Sequence, residues 1–291
     1  MAEGRVVRAI SGFFDVYDEG VVRRCRARGV FKKQGVTVLV GDLVKYDPMG
    51  TQEGVVTSVL PRRSELVRPP IANVNQVLVV FAFATPDLNF LMLDKTIAAA
   101  LIAGVQPAVV LTKADLVDAE TANSICEIYR GCGLSTLAIA TKLGEGVESV
   151  RALMRGSLNV FAGPSGAGKS TLANALVPGL ELQMGAVSEK IGRGKQTTRH
   201  VELFKLDEDT WLADAPGFSQ LQLNVQSREL KRFFPDFSEA GAACAYRGCV
   251  HIDEDGCEVK AAVASGTIHT SRYDSYVQIY AEIREREENM Y

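Results

Sequence analysis

The order of apolar and polar positions divides this chain into parts with different patterns. In residues 5–66, short apolar runs alternate with polar positions and are separated by glycines, which is typical of strands in a small β-barrel or sandwich. After Pro69 and Pro70, apolar runs of strand length alternate with helical stretches. These runs lie at 77–83, 108–111, 136–140, 158–162 and 211–213. Strands that alternate with helices predict a parallel sheet covered on both faces.

The C-terminal part follows neither pattern. After Leu223 the sequence is irregular and bears three of the six cysteines, and it ends in a helix-like stretch, 271–290, rich in tyrosine and alternating charge. We therefore predict a multidomain chain. Its domains are an all-β barrel over 1–68, an α/β domain over 71–222 and a helical, cysteine-bearing domain over 223–291.

Composition places the chain among soluble globular proteins. Of its 291 residues, 47% are hydrophobic and 23% are charged, and the net charge is −3. The longest nearly apolar run, 97–111, is shorter than the ~20 residues of a membrane-spanning helix. Six cysteines in a chain of this length do not form a disulfide scaffold. We expect a cytoplasmic monomer without a membrane partner.

The segment 163–170 reads GPSGAGKS and matches the phosphate-binding pattern G-x-x-x-x-G-K-[ST] at every defined position. It follows a predicted strand and precedes a helical stretch, so an accidental glycine-rich turn is disfavoured. In such a loop, amide hydrogens and the helix N-terminus attract phosphate. Lys169 is expected to bridge the β- and γ-phosphates, and Ser170 to bind Mg²⁺. The predicted nucleotide-binding residues here are Gly163, Pro164, Ser165, Gly166, Ala167, Gly168, Lys169, Ser170 and Thr171.

A second motif, Thr112-Lys113-Ala114-Asp115, follows the apolar run 108–111. Guanine presents two adjacent donors, the ring N1–H and the 2-amino group, and the carboxylate of Asp115 can accept both. We expect the Lys113 stem to pack on the base and Thr112 to belong to the same site. Alone, this tetrad is equally well explained as an ordinary turn. Together with the phosphate loop it favours GTP.

The segment Asp214-Ala215-Pro216-Gly217 looks like the D-x-x-G element of GTPases. Asp214 would hold Mg²⁺ through water, and the Gly217 amide would contact the γ-phosphate. Upstream, 192–200 is rich in glycine, threonine and cations, which is typical of a switch loop, although loop solubility also explains the cations. We expect Thr198, rather than Thr197, to reach Mg²⁺. The predicted catalytic set is Lys169, Thr198 and Gly217.

The order of the motifs is reversed relative to ordinary GTPases, because the guanine motif at Asp115 precedes the phosphate loop at Gly163. This order indicates a circular permutation. Phe218 follows the D-x-x-G glycine, where many GTPases have a glutamine that orients the attacking water. Phenylalanine cannot hydrogen-bond water, so we expect slow turnover by the protein alone.

Cys244, Cys249, His251 and Cys257 gather half of the cysteines and one of three histidines into a short segment. Three thiolates and one imidazole complete a tetrahedral zinc site with no open position, which is typical of a structural metal. We predict one zinc per chain; the alternative is a set of unliganded buried thiols. The isolated cysteines are interpreted as packing residues. They are Cys25, Cys126 and Cys132.

A cluster of cations in the N-terminal part predicts a surface for a polyanion, although a solvated strand face explains it equally well alone. We favour RNA over a protein as the partner of this surface. The candidate RNA-binding residues are Arg23, Arg24, Arg26, Arg28, Lys32 and Lys33. Phe13, Phe14 and Phe31 could stack on bases or belong to the core.

These segments together resemble the circularly permuted GTPases that act in maturation of the small ribosomal subunit. Besides the motifs above, the similarity includes Asn89 and Leu93-Asp94-Lys95, and it covers nearly the whole chain. The resemblance implies an OB-fold, a permuted P-loop GTPase domain and a helical zinc-binding module. It also implies a late assembly factor that binds the 30S subunit and its rRNA near the decoding region, hydrolyses GTP when the subunit stimulates it, and then leaves.

Two positions depart from that family. Gln196 stands where a histidine is frequent, so a catalytic role there is in doubt. Ala140-Thr141 replaces the usual Ser-Ala of the guanine-closing motif, so contact to the guanine carbonyl must come from backbone amides. One rival function is a metabolic P-loop kinase, which would leave Asp115 and the cysteines unexplained. The other is a non-catalytic RNA-binding switch that reads GTP but barely hydrolyses it.

Overall fold

Strands fill the N-terminal part of the chain, and strands alternate with helices after it. The structure, a computed structural model, describes residues 1–29, 31, 35–67, 69–177, 201–214 and 223–289. In chain order its strands are β1 (Ala2–Ile10), β2 (Phe13–Asp18), β3 (Val21–Ala27), β4 (Leu43–Met49), β5 (Glu53–Val59), β6 (Glu65–Val67), β7 (Pro70–Ala72), β8 (Gln76–Ala82), β9 (Gln106–Thr112), β10 (Thr136–Ala138), β11 (Leu158–Ala162), β12 (Glu202–Lys205) and β13 (Trp211–Asp214). Its α-helices are α1 (Phe90–Ile102), α2 (Ala119–Gly131), α3 (Val147–Met154), α4 (Lys169–Leu176), α5 (Ser238–Ala242), α6 (Glu258–Ala264) and α7 (Thr270–Glu288). Short 3₁₀ helices span Ala114–Leu116, Thr141–Leu143, Ser227–Phe233 and Pro235–Phe237.

The chain divides into two compact units, each built from separate stretches of sequence. The first unit comprises Met1–Val77, Glu148–Phe161 and Ser170–Gln220. The second comprises Leu78–Val147, Ala162–Lys169 and Leu221–Tyr291. The domain bounds 1–68, 71–222 and 223–291 stay a prediction.

The strands β1 to β5 of the first unit form a closed barrel, which confirms the OB-like expectation. β1 pairs with β2 and β4, β2 with β3, and β4 with β5, all antiparallel. A parallel pairing of β3 with β5 closes the ring. One face of each strand points inward, so alternate residues form the core. The fully buried core residues are Val6, Val16, Cys25, Val44, Tyr46 and Val56.

A two-residue turn joins β1 to β2. Ser11 and Gly12 have φ angles of 50° and 82°, the left-handed pair that a type I′ hairpin requires. The backbone twist of this turn type matches the twist of the flanking strands, so it sets the register in which Ile10 faces Phe13.

The barrel continues into a second group of strands within the first unit. β12 pairs antiparallel with β1, where Arg8 faces Glu202, and antiparallel with β13. β13 in turn pairs parallel with β11. The indole of Trp211 packs edge-on against the Tyr17 ring at 5.2 Å. The strand that ends at Asp214 is therefore part of the same sheet as the barrel.

In the second unit, β8, β9 and β10 lie side by side, with β9 and β10 parallel. Residues 77–83 are all buried, as expected for a strand covered on both faces. The C-terminal helix α7 packs against α1 and the 3₁₀ helix Ser227–Phe233, and its buried residues include Tyr276, Ile279 and Ile283. Within the described residues, no helix is both long and apolar enough to cross a membrane.

Candidate nucleotide-binding loop and metal centre

The phosphate loop 163–168 joins the end of β11 to the start of α4. Gly163 has a φ of 141°, and a Cβ atom there would lie 2.0 Å from the carbonyl oxygen of Val80 in β8. No side chain fits at that distance, so glycine is required where the loop crosses the neighbouring strand. Ser165 and Gly166 are exposed at the crest of the loop, and Ala167 is buried beneath it.

The side chain of Lys169 folds back over the loop. Its Nζ donates to the carbonyl oxygens of Gly163 at 2.8 Å and Pro164 at 2.6 Å. Burial lowers the pKa of Lys169, because the ammonium is partly removed from water. An ammonium held at the loop by neutral carbonyls is a strong candidate partner for a phosphate anion, since a charge-assisted hydrogen bond is the stronger one.

The guanine motif is bonded directly to the phosphate loop. The hydroxyl of Thr112, at the end of β9, donates to the carbonyl oxygen of Ala167 at 2.6 Å. Lys113 has a left-handed φ of 58°, and its Nζ donates to the carbonyl oxygen of Gly166 at 2.9 Å and also to that of Thr85. These bonds fix the distance between the two motifs, although they are far apart in sequence.

Asp115 lies in the 3₁₀ turn Ala114–Leu116 and is exposed. The segment just before the 3₁₀ turn Thr141–Leu143 lies beside this turn, because the Ala114 amide donates to the carbonyl oxygen of Ile139 at 3.1 Å. The Ala140 amide donates to Glu145 O at 3.1 Å, so it is already engaged within its own loop. The Thr141 hydroxyl is buried and has no hydrogen-bond partner among the described residues.

The candidate Mg²⁺ residues lie at the ends of two elements. Ser170 and Thr171 are exposed in the first turn of α4. Asp214 ends β13, where it faces Glu202 of β12. Burial and then the Glu202 carboxylate raise the pKa of Asp214. A bound cation would stabilise the ionised carboxylate in this environment. The predicted residues outside the described ranges are Lys32, Lys33, Gln196, Thr197, Thr198, Gly217 and Phe218.

The cysteine cluster comes together in the second unit. The ligand atoms of Cys244, Cys249, His251 and Cys257 all lie within 4.8 Å of one another. His251 Nδ1 lies 3.6 Å from Cys244 Sγ, 3.3 Å from Cys249 Sγ and 3.4 Å from Cys257 Sγ. Tetrahedral bonds of about 2.3 Å to sulfur and 2.0–2.1 Å to nitrogen place each sulfur about 3.6 Å from the nitrogen. The four side chains therefore fit one tetrahedral metal ion.

The basic residues of the barrel have different partners. Arg23 donates to the Tyr46 hydroxyl at 2.8 Å, and Arg28 donates to Asp47 at 3.1 Å. Arg24 and Arg26 are exposed on one face of β3, with their guanidinium groups 4.7 and 4.8 Å from the Phe13 ring. Of the aromatic candidates, Phe31 is buried in the barrel core and Phe14 packs against that core. Among the candidates that the structure describes, Arg24 and Arg26 are thus the ones whose exposed guanidinium groups have no carboxylate partner.

One buried ionic cluster is absent from the sequence-based predictions. Arg272 in α7, 1% exposed, contacts Asp94 of α1 at 2.5 Å and Asp236 at 2.8 Å. A signal for it exists in the sequence: Arg272 falls on the helical stripe that continues through Tyr276, Ile279 and Ile283. A charged residue on an apolar stripe predicts a buried partner of opposite charge.

Comparisons with known proteins cover nearly the whole chain. The family model described as RsgA GTPase matches residues 59–224, and the one described as RsgA N-terminal domain matches residues 3–56. A relative from Geobacillus sp. (strain WCH70), named small ribosomal subunit biogenesis GTPase RsgA, is 43% identical over 290 residues, or 98% of this chain and 99% of the relative.

Two solved structures are also similar. YjeQ from Thermotoga maritima has a TM-score of 0.85 and 34% identity, covering 97% of this chain and 98% of that one. YloQ, described as a circularly permuted GTPase, has a TM-score of 0.83 and 35% identity, covering 98% and 96%. With a predicted guanine motif that precedes and contacts the predicted phosphate loop, this chain belongs to the RsgA GTPase family, whose members are circularly permuted GTP-hydrolysing enzymes.

Proposed function

We propose that this chain is a late maturation factor of the small ribosomal subunit, working in the cytoplasm, and that hydrolysis of GTP to GDP and phosphate triggers its release. The relative from Geobacillus bears that subunit in its name. The observation that carries the GTP-binding part of the proposal is the pair of hydrogen bonds from Thr112 to Ala167 and from Lys113 to Gly166. They hold the segment that reads the base against the segment that holds the phosphates.

The residue roles follow from this arrangement. Asp115 accepts both donors of guanine, and amides beyond Ala140 meet the guanine carbonyl, because the Ala140 amide is engaged by Glu145. Lys169 exchanges two neutral carbonyls for the β- and γ-phosphates. Ser170, Asp214 and Thr198 would bind Mg²⁺. The Gly217 amide would contact the γ-phosphate. The ion would neutralise charge that develops on the phosphate oxygens.

We assign the metal centre to zinc. Three thiolates and an imidazole form a closed set that zinc prefers, and a closed set is structural. Burial lowers the pKa of His251, which favours the neutral imidazole that binds metal. Metal analysis of protein purified without chelators should find about one zinc per chain, and Cys249→Ala should lose it. Protein that carries no zinc would refute the assignment.

The barrel supplies the surface for rRNA in this proposal. Arg24 and Arg26 project from one strand face with Phe13 between them, which suits contact with a phosphate backbone. Arg24→Gln/Arg26→Gln should weaken subunit binding. Arg28 is also a candidate but already pairs with Asp47, so Arg28→Gln should weaken subunit binding less.

The deciding experiment measures multiple-turnover GTP hydrolysis alone, with small subunits and with large subunits. We expect slow turnover alone and a clear increase with small subunits only, because Phe218 cannot orient water and the particle must complete the site. Co-sedimentation with small subunits should be stronger with a non-hydrolysable GTP analogue than with GDP. Equal rates in all three reactions would refute the coupling, and Lys169→Ala provides the inactive control.

A further inference from the structure

The loop 249–252 carries two of the four metal-binding side chains, Cys249 and His251. His251 has a φ of 63°, in the left-handed region that residues other than glycine rarely adopt. Such a conformation persists only when surrounding contacts over-determine it. The direction of the imidazole therefore depends on what holds this loop from outside.

Glu254 holds both ends of the Val250–His251 pair. One carboxylate oxygen accepts the Val250 amide at 2.5 Å, and the other accepts the Ile252 amide at 3.0 Å. Because two amides donate to one carboxylate, the peptide planes on either side of the pair are fixed relative to each other. Burial acts to raise the pKa of Glu254, but hydrogen bonds from the backbone, these two among them, lower it overall. We call this arrangement the Glu254 clamp.

The carbonyl edge of the same loop is held by other elements. The carbonyl oxygens of residues 249, 250 and 251 accept, in that order, from Lys231 Nζ at 2.7 Å, Tyr276 Oη at 2.6 Å and Tyr273 Oη at 2.8 Å. The two tyrosines lie one turn apart on α7, so their hydroxyls donate to the carbonyl oxygens of successive residues. The clamp and α7 thus fix opposite edges of one loop.

Electrostatic attraction to the metal does not explain the position of Glu254. A divalent ion with three thiolates carries a net negative charge, so another carboxylate nearby is unfavourable. Its hydrogen bonds to the two amides do explain the position. In metal sites, groups that orient the ligands contribute to affinity without touching the ion.

We infer that Glu254 is a positioning residue of the metal centre, which sets the left-handed turn at His251 and so aims Nδ1 at the three thiols. Tyr273 supports the same turn from the opposite edge. This inference rests on the metal centre proposed above. It assigns part of the metal affinity to a side chain that is not a ligand.

The test compares full-length wild type with Glu254→Gln, Tyr273→Phe and Asp253→Asn. Glutamine keeps the size of the side chain but offers one acceptor oxygen and places an NH₂ donor against an amide donor. Asp253 is exposed and adjacent, so its substitution makes the same charge change without touching the clamp. Zinc affinity is measured by chelator competition, and ligand geometry by the absorption spectrum of the Co²⁺-substituted protein. Slow hydrogen exchange of the α7 amides, measured with excess zinc, shows that each variant is folded around the metal centre.

For Glu254→Gln we expect zinc affinity about 10- to 100-fold lower and altered cobalt bands, with Asp253→Asn matching wild type. Tyr273→Phe should shift both readouts in the same direction, and it decides the question if Glu254→Gln does not fold. Wild-type affinity and spectrum in the variants would overturn the inference, and so would an equal loss in Asp253→Asn. Wild type that binds neither zinc nor cobalt would instead refute the metal centre itself.

Discussion

Replacing Arg272 with methionine removes the cation from the buried cluster and keeps an unbranched apolar stem. Asp94 is fully buried and Asp236 nearly so, and Arg272 bonds Asp236 through two nitrogens, at 2.8 and 3.2 Å. Burial favours a neutral guanidine, but Asp94 and Asp236 raise the pKa of Arg272 well above its ordinary value. The cation is therefore present in the folded protein. Its loss leaves two buried carboxylates without a cationic partner.

Breaking a buried pair by removing one partner costs about 3–5 kcal/mol. At about 1.4 kcal/mol per factor of ten, amide hydrogens of α1 and α7 that exchange through local opening should exchange roughly 100- to 4,000-fold faster in Arg272→Met. Hydrogen exchange read by mass spectrometry on peptides from these helices measures this directly. Adding Asp94→Asn to the variant should recover part of the loss, because it removes one uncompensated charge.

The matched control is Lys95→Met. Lys95 pairs with Glu282 at 2.6 Å and joins the same two helices, but its side chain is 30% exposed and that of Glu282 is 53% exposed. A surface pair of this kind contributes about 0–1 kcal/mol, so exchange should change by less than about fivefold. If Arg272→Met accelerated amide exchange no more than Lys95→Met does, burial would not be what makes the Arg272 cluster stabilising.

Three further predictions test the site and the barrel. Asp115→Asn should weaken the binding of GDP by roughly 1.5–3 kcal/mol, which is more than tenfold in a fluorescent-GDP titration. The variant should favour a xanthine nucleotide, because the carbonyl oxygen of xanthine accepts a hydrogen bond from the new amide. Unchanged GDP affinity would remove Asp115 from the site. Gly163→Ala should abolish GDP binding in the same titration, whereas Gly156→Ala, whose added Cβ has no neighbour within 4 Å, should retain it; binding by both would contradict the close approach to Val80. Burial, and then a hydrogen bond to Asp18, raises the pKa of Tyr46 from 10.0 to about 12. The neutral phenol therefore contributes stability that is fully present below pH 10 and is lost as the pH rises through about 12. Phenolate absorbance should lose a step near pH 12 in Tyr46→Phe, and an unchanged titration would argue against the buried phenol.

The parts of this protein that were predictable from sequence are those whose determinants are local. The strand, loop and helix around 158–176 are continuous in sequence, so the phosphate loop and its context were identified together. The metal-binding residues are also close in sequence, and the structure brings all of Cys244, Cys249, His251 and Cys257 together. Short-range patterns carry their own geometry, because a strand-to-helix turn fixes its residues within a few ångströms.

Contacts across long sequence separations were not predictable in the same way. Lys113 and Gly166 meet because β9 and the phosphate loop end at one edge of the fold, which no single segment encodes. The aromatic residues of the barrel show the same limit. Phe13 and Phe31 have equal apolar character, yet one lies under two arginines and the other in the core, because strand register and closure decide which face turns inward.

Arg272 lies between these two cases. Its place on the stripe of Tyr276, Ile279 and Ile283 follows from helical periodicity alone, so burial of a charge at this position can be predicted from sequence. The identity of the partner cannot, since the sequence offers many carboxylates and Asp94 lies 178 residues away. What selects Asp94 is the packing of α7 on α1, which buries the arginine and one turn of α1 against each other. The buried ion pair is therefore a consequence of helix packing. We expect it also to make this packing specific, because any other register would leave the arginine without its carboxylates.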